Sequence, residues 1–118
     1  MARRKAKQRK NSPVRPVNAR QQGLKFFKLG GYDQAITTWE QERKQKPEAK
    51  LTPALAEAYF RRGIKRQERA DITTAVSLQP DNPLYQYHLG LAQQRDGDLD
   101  KAIAVYQRVS KVDERWAK

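Results

Sequence analysis

The chain has 118 residues, 37% hydrophobic and 32% charged, with a formal charge of +12, no cysteine and a single histidine. That length holds one domain, and the modest apolar content suits stacked helices that each bury one face better than it suits a deep core around an enzymatic pocket. Disulfides and zinc ribbons are excluded for want of cysteine, no apolar run is long enough to span a bilayer, and the basic start lacks the apolar stretch of a secretory signal.

The charge is concentrated at one end. Residues 1–20 carry Arg3, Arg4, Lys5, Lys7, Arg9, Lys10, Arg15 and Arg20 without an acid, whereas residues 81–118 carry six basic and six acidic side chains. Residues 1–18 also contain Pro13 and Pro16 and lack apolar periodicity, so they cannot bury enough surface to offset their ordering entropy and are expected to form a flexible basic arm. Cations that neutralise backbone phosphates release counterions, which makes Arg3, Arg4, Lys5, Lys7, Arg9, Lys10 and Arg15 the candidate nucleic-acid contacts.

Residues 19–116 read as helices. The first is expected over Ala19 to Leu29, with Gly23, Leu24 and Phe27 along one face and Gly30 and Gly31 stopping it. Asp33 is expected to cap the second, which carries Ala35, Ile36, Trp39 and Glu42 toward Pro47. Small Gly23 and Ala35 leave room for the rings of Tyr32 and Trp39 where the two helices cross.

A third helix is expected from Pro53 to Arg62, opened by Thr52-Pro53 and broken by Gly63. A fourth, from about Lys65 to Leu78, holds Ile72, Ala75 and Leu78 in register. Glu68 would then sit near the helix crossing, so it is expected to pair with Arg61, Arg62 or Lys65, or else the helix is displaced. Arg61, Arg62, Lys65, Arg66 and Arg69 read as a solvated basic face or as an extension of the arm's phosphate-binding surface.

The turn Pro80-Asp81-Asn82-Pro83 leads into a fifth helix, Leu84 to Arg95, and Leu99 to Val112 forms the sixth. His88 has no second histidine or cysteine to join it in binding metal and reads as a packed or half-exposed side chain. Asp96, Asp98 and Asp100 do not form a calcium loop, because Lys101 and Gln107 stand where glycine and glutamate are required. Beyond Val112 the expectation is an exposed end, including Trp116, covered by a partner or by further sequence. No paired carboxylates at catalytic spacing, nucleophile with a histidine base or glycine-rich phosphate loop is present, so the chain reads as non-enzymatic, without cofactor or metal.

These elements repeat. Gly23, Gly30, Ala35, Trp39 and Pro47 recur 33 residues later as Ala56, Gly63, Glu68, Ile72 and Pro80, and 34 residues later again as Gly90, Gly97, Ala102, Tyr106 and Glu114. The pattern resembles that of the tetratricopeptide repeats. The resemblance implies an all-α, right-handed solenoid of three tetratricopeptide-like helix-turn-helix repeats, spanning about 16–48, 49–82 and 83–116. It also implies a concave groove lined by the first helix of each repeat: Arg20, Leu24, Phe27 and Lys28, then Lys50, Glu57, Phe60 and Arg61, then Leu84, Tyr87, Leu91, Gln94 and Arg95. One branch of that family clamps a C-terminal carboxylate with lysine, asparagine and arginine, but Leu24 and Glu57 stand here at the asparagine sites and Leu84 at a lysine site. The implied function is a scaffold or adaptor, intracellular and cytoplasmic, or nuclear in a eukaryote. It would bind an acidic-apolar protein segment as a subunit of a larger complex, with no membrane role. The alternative is a ribonucleoprotein component whose arm contacts RNA or DNA.

Overall fold

In a computed structural model of the chain, residues 19–117 are described, with side chains through Lys111. The arm expected over residues 1–18, with its candidate contacts Arg3, Arg4, Lys5, Lys7, Arg9, Lys10 and Arg15, lies outside the described residues, as does the ring of Trp116. The described residues hold six helices and no strand: α1 (Ala19–Lys28), α2 (Tyr32–Gln45), α3 (Thr52–Arg66), α4 (Arg69–Leu78), α5 (Pro83–Arg95) and α6 (Leu99–Ala117). They fall into two compact units that divide after Leu51. The first pairs α1 with α2; the second pairs α3 with α4 and α5 with α6, and packs α4 on α5.

Each hairpin turns by the same device. Where α1 ends, Gly30 adopts φ +82° and the Gly31 N–H donates back to the Phe26 carbonyl at 2.8 Å. Where α5 ends, Gly97 adopts φ +86° and the Asp98 N–H donates to the Gln93 carbonyl at 2.8 Å. This left-handed residue followed by a bond back across the last turn satisfies carbonyls that the helix leaves unpaired. In the middle hairpin the left-handed residue is Gln67, at φ 54°, and the Glu68 N–H donates to the Gly63 carbonyl at 2.9 Å.

That assignment corrects the sequence reading. Gly63 does not break α3, which runs through it to Arg66, and the turn comes four residues later, at Gln67 rather than Gly63. A helix gains about one turn from four residues, so α3 is 15 residues long and α4 only 10. Glu68 therefore lies at the exposed start of α4, away from the helix crossing, and makes no side-chain capping bond. The displaced-helix alternative holds. Two further expectations change: Gly31, not Asp33, is the residue preceding α2, with Asp33 in its first turn, and α6 continues past Val112 to Ala117.

Small residues allow the close packing. A Cβ on Gly23 would come within 2.7 Å of Cδ1 of Trp39, and one on Gly90 within 2.6 Å of Cε1 of Tyr106. The Trp39 ring, 2% exposed over that glycine, donates its indole N–H to the Arg20 carbonyl at 3.3 Å. In α3 the comparable contact is Gly63 against Ile72, whose Cγ1 is 2.8 Å from such a Cβ.

The second unit has two apolar clusters, Ile72, Leu89, Ala92, Val105 and Val109 in one, and Ala56, Phe60, Ala75 and Tyr85 in the other. Val76 packs against both. Between α3 and α4 lies a buried ion pair, in which Arg62 donates to both Asp71 oxygens at 2.8 Å. Asp71 is 7% exposed, and the guanidinium also lies over the Tyr59 ring. A two-point guanidinium–carboxylate match is what makes burying this carboxylate tolerable.

Candidate protein-binding face

The side chains expected to line a groove come from α1 in the first unit and from α3 and α5 in the second. On α1, Arg20, Leu24 and Lys28 are exposed and Phe27 is half-buried. The Arg20 guanidinium donates to the Lys50 carbonyl at 3.0 Å, and the Phe27 ring packs against Tyr32 and Trp39.

In the second unit α3 and α5 run side by side and parallel, with contacts near both ends. Near their starts Tyr85 on α5 donates its hydroxyl to Glu57 Oε1 on α3 at 2.6 Å. Near their ends the Arg95 guanidinium donates to the Gln67 carbonyl at 3.3 Å. Between these points the Phe60 ring stacks on Tyr85 at 4.7 Å and meets His88 edge-on at 5.1 Å.

Phe60 is thus a core residue, 6% exposed, and the expectation that its side chain lines an open groove is corrected. Tyr87 is 44% exposed, with Leu84 at 51% and Leu91 at 39%. These three are spaced at i, i+3 and i+7, which places them on one face of α5. The opposite side of α5, through Tyr85, Leu89 and Ala92, is buried. Across from this row α3 presents Arg61 and, four residues before it, Glu57, joined by a bond from Arg61 Nε to Glu57 Oε2 of 2.7 Å. Ile64 on the same face of α3 is 41% exposed, and the sequence reading missed it; its position seven residues after Glu57 was the available signal. Arg95 and Gln94 follow Leu91, and Gln94 accepts from the Tyr106 hydroxyl at 2.8 Å.

The electrostatics of this face are local and paired. Burial, followed by the bond to Glu57, pushes the Tyr85 hydroxyl well above the usual tyrosine range. Three members of the basic cluster after Phe60 are engaged by acids: Arg61 with Glu57, Arg62 with Asp71, and Arg69 with both Asp96 and Asp98. Arg69 reaches Asp98 at 2.6 Å and Asp96 at 3.2 Å, which ties the start of α4 to the turn before α6. Its hydrogen bond holds the Asp98 carboxyl below the ordinary carboxylate range. Two of the three aspartates that superficially suggest a calcium loop therefore bind a guanidinium.

Among the described residues no group of three or more His, Asp or Glu is placed to hold a metal ion. No helix among them is long and apolar enough to cross a membrane.

The sequence profile described as tetratricopeptide repeat matches residues 53–112, just over half of the chain. Several solved structures share the fold. The first tetratricopeptide domain of Spaghetti (RPAP3), solved bound to the HSP90 peptide SRMEEVD, is 27% identical, with a TM-score of 0.53, over 84% of this chain and 79% of that one. The second such domain, bound to the same peptide, is 23% identical, with a TM-score of 0.51, over 82% and 91% of the two chains. The MamA RS-1 ArsTM double mutant is 21% identical, with a TM-score of 0.50, over 86% and 76%. No curated protein sequence matches.

Proposed function

The chain belongs to the tetratricopeptide repeat family, whose members serve as protein-interaction scaffolds, and from that premise we propose that it is a non-enzymatic adaptor that holds a protein segment, as a subunit of a larger complex. The observation that carries this reading is the exposed row Leu84, Tyr87 and Leu91 on α5, in a chain whose mean hydropathy is −1.02. Exposed apolar rows on so polar a chain mark interaction surfaces more often than isolated surface residues do. The solved neighbour at 27% identity carries a peptide, which supports the same use here. Arg95, its side chain 46% exposed, stands at one end of the row, so an acidic-apolar segment is the partner that complements it in charge. In the first unit, taken by itself, Arg20, Leu24, Phe27 and Lys28 of α1 are proposed as a protein contact of that unit.

A second reading rests on charge. From Met1 to Tyr32 the chain contains no acid, and Lys25 and Lys28 continue the basic run of the first 20 residues onto the exposed side of α1. The arm would then hold RNA or DNA while α5 holds protein.

One experiment separates the two: affinity capture with the wild-type chain, a Leu84→Asp/Leu91→Asp variant and an arm deletion, each with and without nuclease. The adaptor reading expects protein partners that survive nuclease and are lost with the α5 variant. Partners lost to nuclease and to the arm deletion, with the α5 variant unaffected, would leave the nucleic-acid reading alone.

A further inference from the structure

Glu57 occupies the α3 side of the proposed binding face, and both its oxygens are committed. Oε1 accepts from the Tyr85 hydroxyl at 2.6 Å and Oε2 from Arg61 Nε at 2.7 Å. Tyr85 is 2% exposed, and its ring is stacked on buried Phe60, so the hydroxyl that fixes Glu57 is itself fixed. The carboxylate side chain remains one-third exposed, which places a held negative charge at the surface. Adjacent on α5 stands Leu84, 51% exposed, immediately before Tyr85 in the chain.

An anionic group arriving at this end of the face meets an acceptor and an apolar side chain, and the nearest cation, Arg61, is already held by Glu57. A carboxylate offers no donor to either, and like charges brought together on a partly desolvated surface repel. The other end differs in degree: Arg95 follows Leu91 there, its side chain 46% exposed, and donates to the Gln67 carbonyl. Its Nε lies 3.8 Å from Asp96 Oδ1, a carboxylate it shares with Arg69, so acidic side chains of a partner compete with Asp96 for its guanidinium. Charge is thus ordered along the face, with the tightly held Glu57–Arg61 pair near the helix starts, an apolar row in the middle and the looser Arg95–Asp96 pair near the helix ends.

We propose that Glu57, held by Tyr85 and Arg61, makes this face select an internal apolar segment whose acidic flank lies at the Arg95 end and reject a free C-terminal carboxylate at the Glu57 end. This rests on the adaptor reading above and adds to it the chemistry of the partner. The discrimination is a repulsive element built into the site, which is how specificity is obtained when the attractive apolar contacts are shared between partners.

The probes are two synthetic peptides. One is blocked at both ends, with leucines spaced to meet Leu84, Tyr87 and Leu91 and glutamates only on the side that meets Arg95; the other is SRMEEVD, prepared as the free acid and as the C-terminal amide. Fluorescence anisotropy is read for the full wild-type chain and for Glu57→Gln, which keeps an acceptor for Tyr85 and removes the charge. The expected result is binding of the blocked peptide by both proteins, with the SRMEEVD amide bound at least threefold more tightly than the free acid by wild type. Glu57→Gln should bring acid and amide to within a factor of about two. Binding of the blocked peptide together with equal or tighter binding of the free acid by wild type would overturn the role of Glu57 and leave the adaptor reading standing. Failure of wild type to bind the blocked peptide, with the Leu84 and Leu91 methyl resonances unmoved, would overturn both.

Discussion

Replacing Gly23 by alanine puts opposing effects on one atom. A methyl at that position would sit within 2.7 Å of Cδ1 of the Trp39 indole, a ring only 2% exposed, so the ring must shift in a site with little space to yield. Overpacking of this kind costs about 1–3 kcal/mol, and loss of the indole bond to the Arg20 carbonyl adds about 0.5–1.5 kcal/mol. Alanine returns about 1 kcal/mol of helix propensity relative to glycine. The net expectation is a loss of about 1–3 kcal/mol, and each kcal/mol moves the midpoint of a small domain by about 4–8 °C. Gly90→Ala provides the control, because its neighbour Tyr106 is only half-buried and its hydroxyl bond to Gln94 lies at the surface. That ring can turn aside, so the cost should be smaller than for Gly23→Ala. Thermal unfolding followed by far-UV circular dichroism, with near-UV ellipticity reporting the indole environment, measures both. Gly23→Ala as stable as the parent, or Gly90→Ala the more damaging of the two, would refute the placement of Trp39 over α1.

Asp71→Ala should destabilise by about 3 kcal/mol, because it strands a largely buried guanidinium, while an Arg62→Leu/Asp71→Leu double variant should recover most of that loss in a denaturant titration. Gln67→Gly should stabilise by about 0.5–1 kcal/mol in the same titration, since it removes a side chain from a left-handed turn position. Asp98 has its folded pKa lowered below the ordinary 3.8 by Arg69, so its contribution is present above that pH and is lost as pH falls through the folded value; Asp98→Asn should flatten the acid limb of stability against pH. Tyr85 has its pKa raised from 10.0, so its contribution is complete below pH 10 and is lost only as pH rises through the higher folded value. Absorbance at the tyrosinate band should show one fewer titrating tyrosine in Tyr85→Phe, confined to the most alkaline part of the curve. If the arm binds nucleic acid, affinity for a single-stranded oligonucleotide should fall with salt by about 0.7 log units per decade for each phosphate neutralised, and deletion of residues 2–15 should remove most of that slope.

The first and third hairpins were legible because their landmarks do one job each. Gly23 and Gly90 read as sites where an aromatic ring crosses, Gly30 and Gly97 as left-handed turn residues, and Ala35 and Ala102 as close-packed positions, 0% and 2% exposed. The middle hairpin misled because Gly63 falls at the expected turn spacing yet works as a packing glycine inside α3, while the turn falls on Gln67, a residue with no intrinsic preference for positive φ. Once that turn shifts, Asp71 instead of Glu68 becomes the buried acid. Its pairing with Arg62 depends on three-dimensional register and leaves no local mark in the sequence. On the face itself, the spacing of Leu84, Tyr87 and Leu91 was readable as a helical stripe. Phe60 was misread because which side of α3 is covered depends on where Tyr85 and His88 arrive from α5.

The central claim is that the exposed row on α5, with Ile64 across from it, receives a protein segment. Chemical-shift mapping with a methyl- and amide-labelled chain and the doubly blocked apolar-acidic peptide tests it directly, because it reads location as well as binding. The largest changes should fall on Ile64, Leu84, Tyr87 and Leu91, saturate with peptide concentration, and disappear in Leu84→Asp/Leu91→Asp while the helical circular dichroism spectrum stays unchanged. Saturable changes centred instead on Leu99 and Ile103, the exposed apolar residues of α6, or on α1 alone, would contradict it.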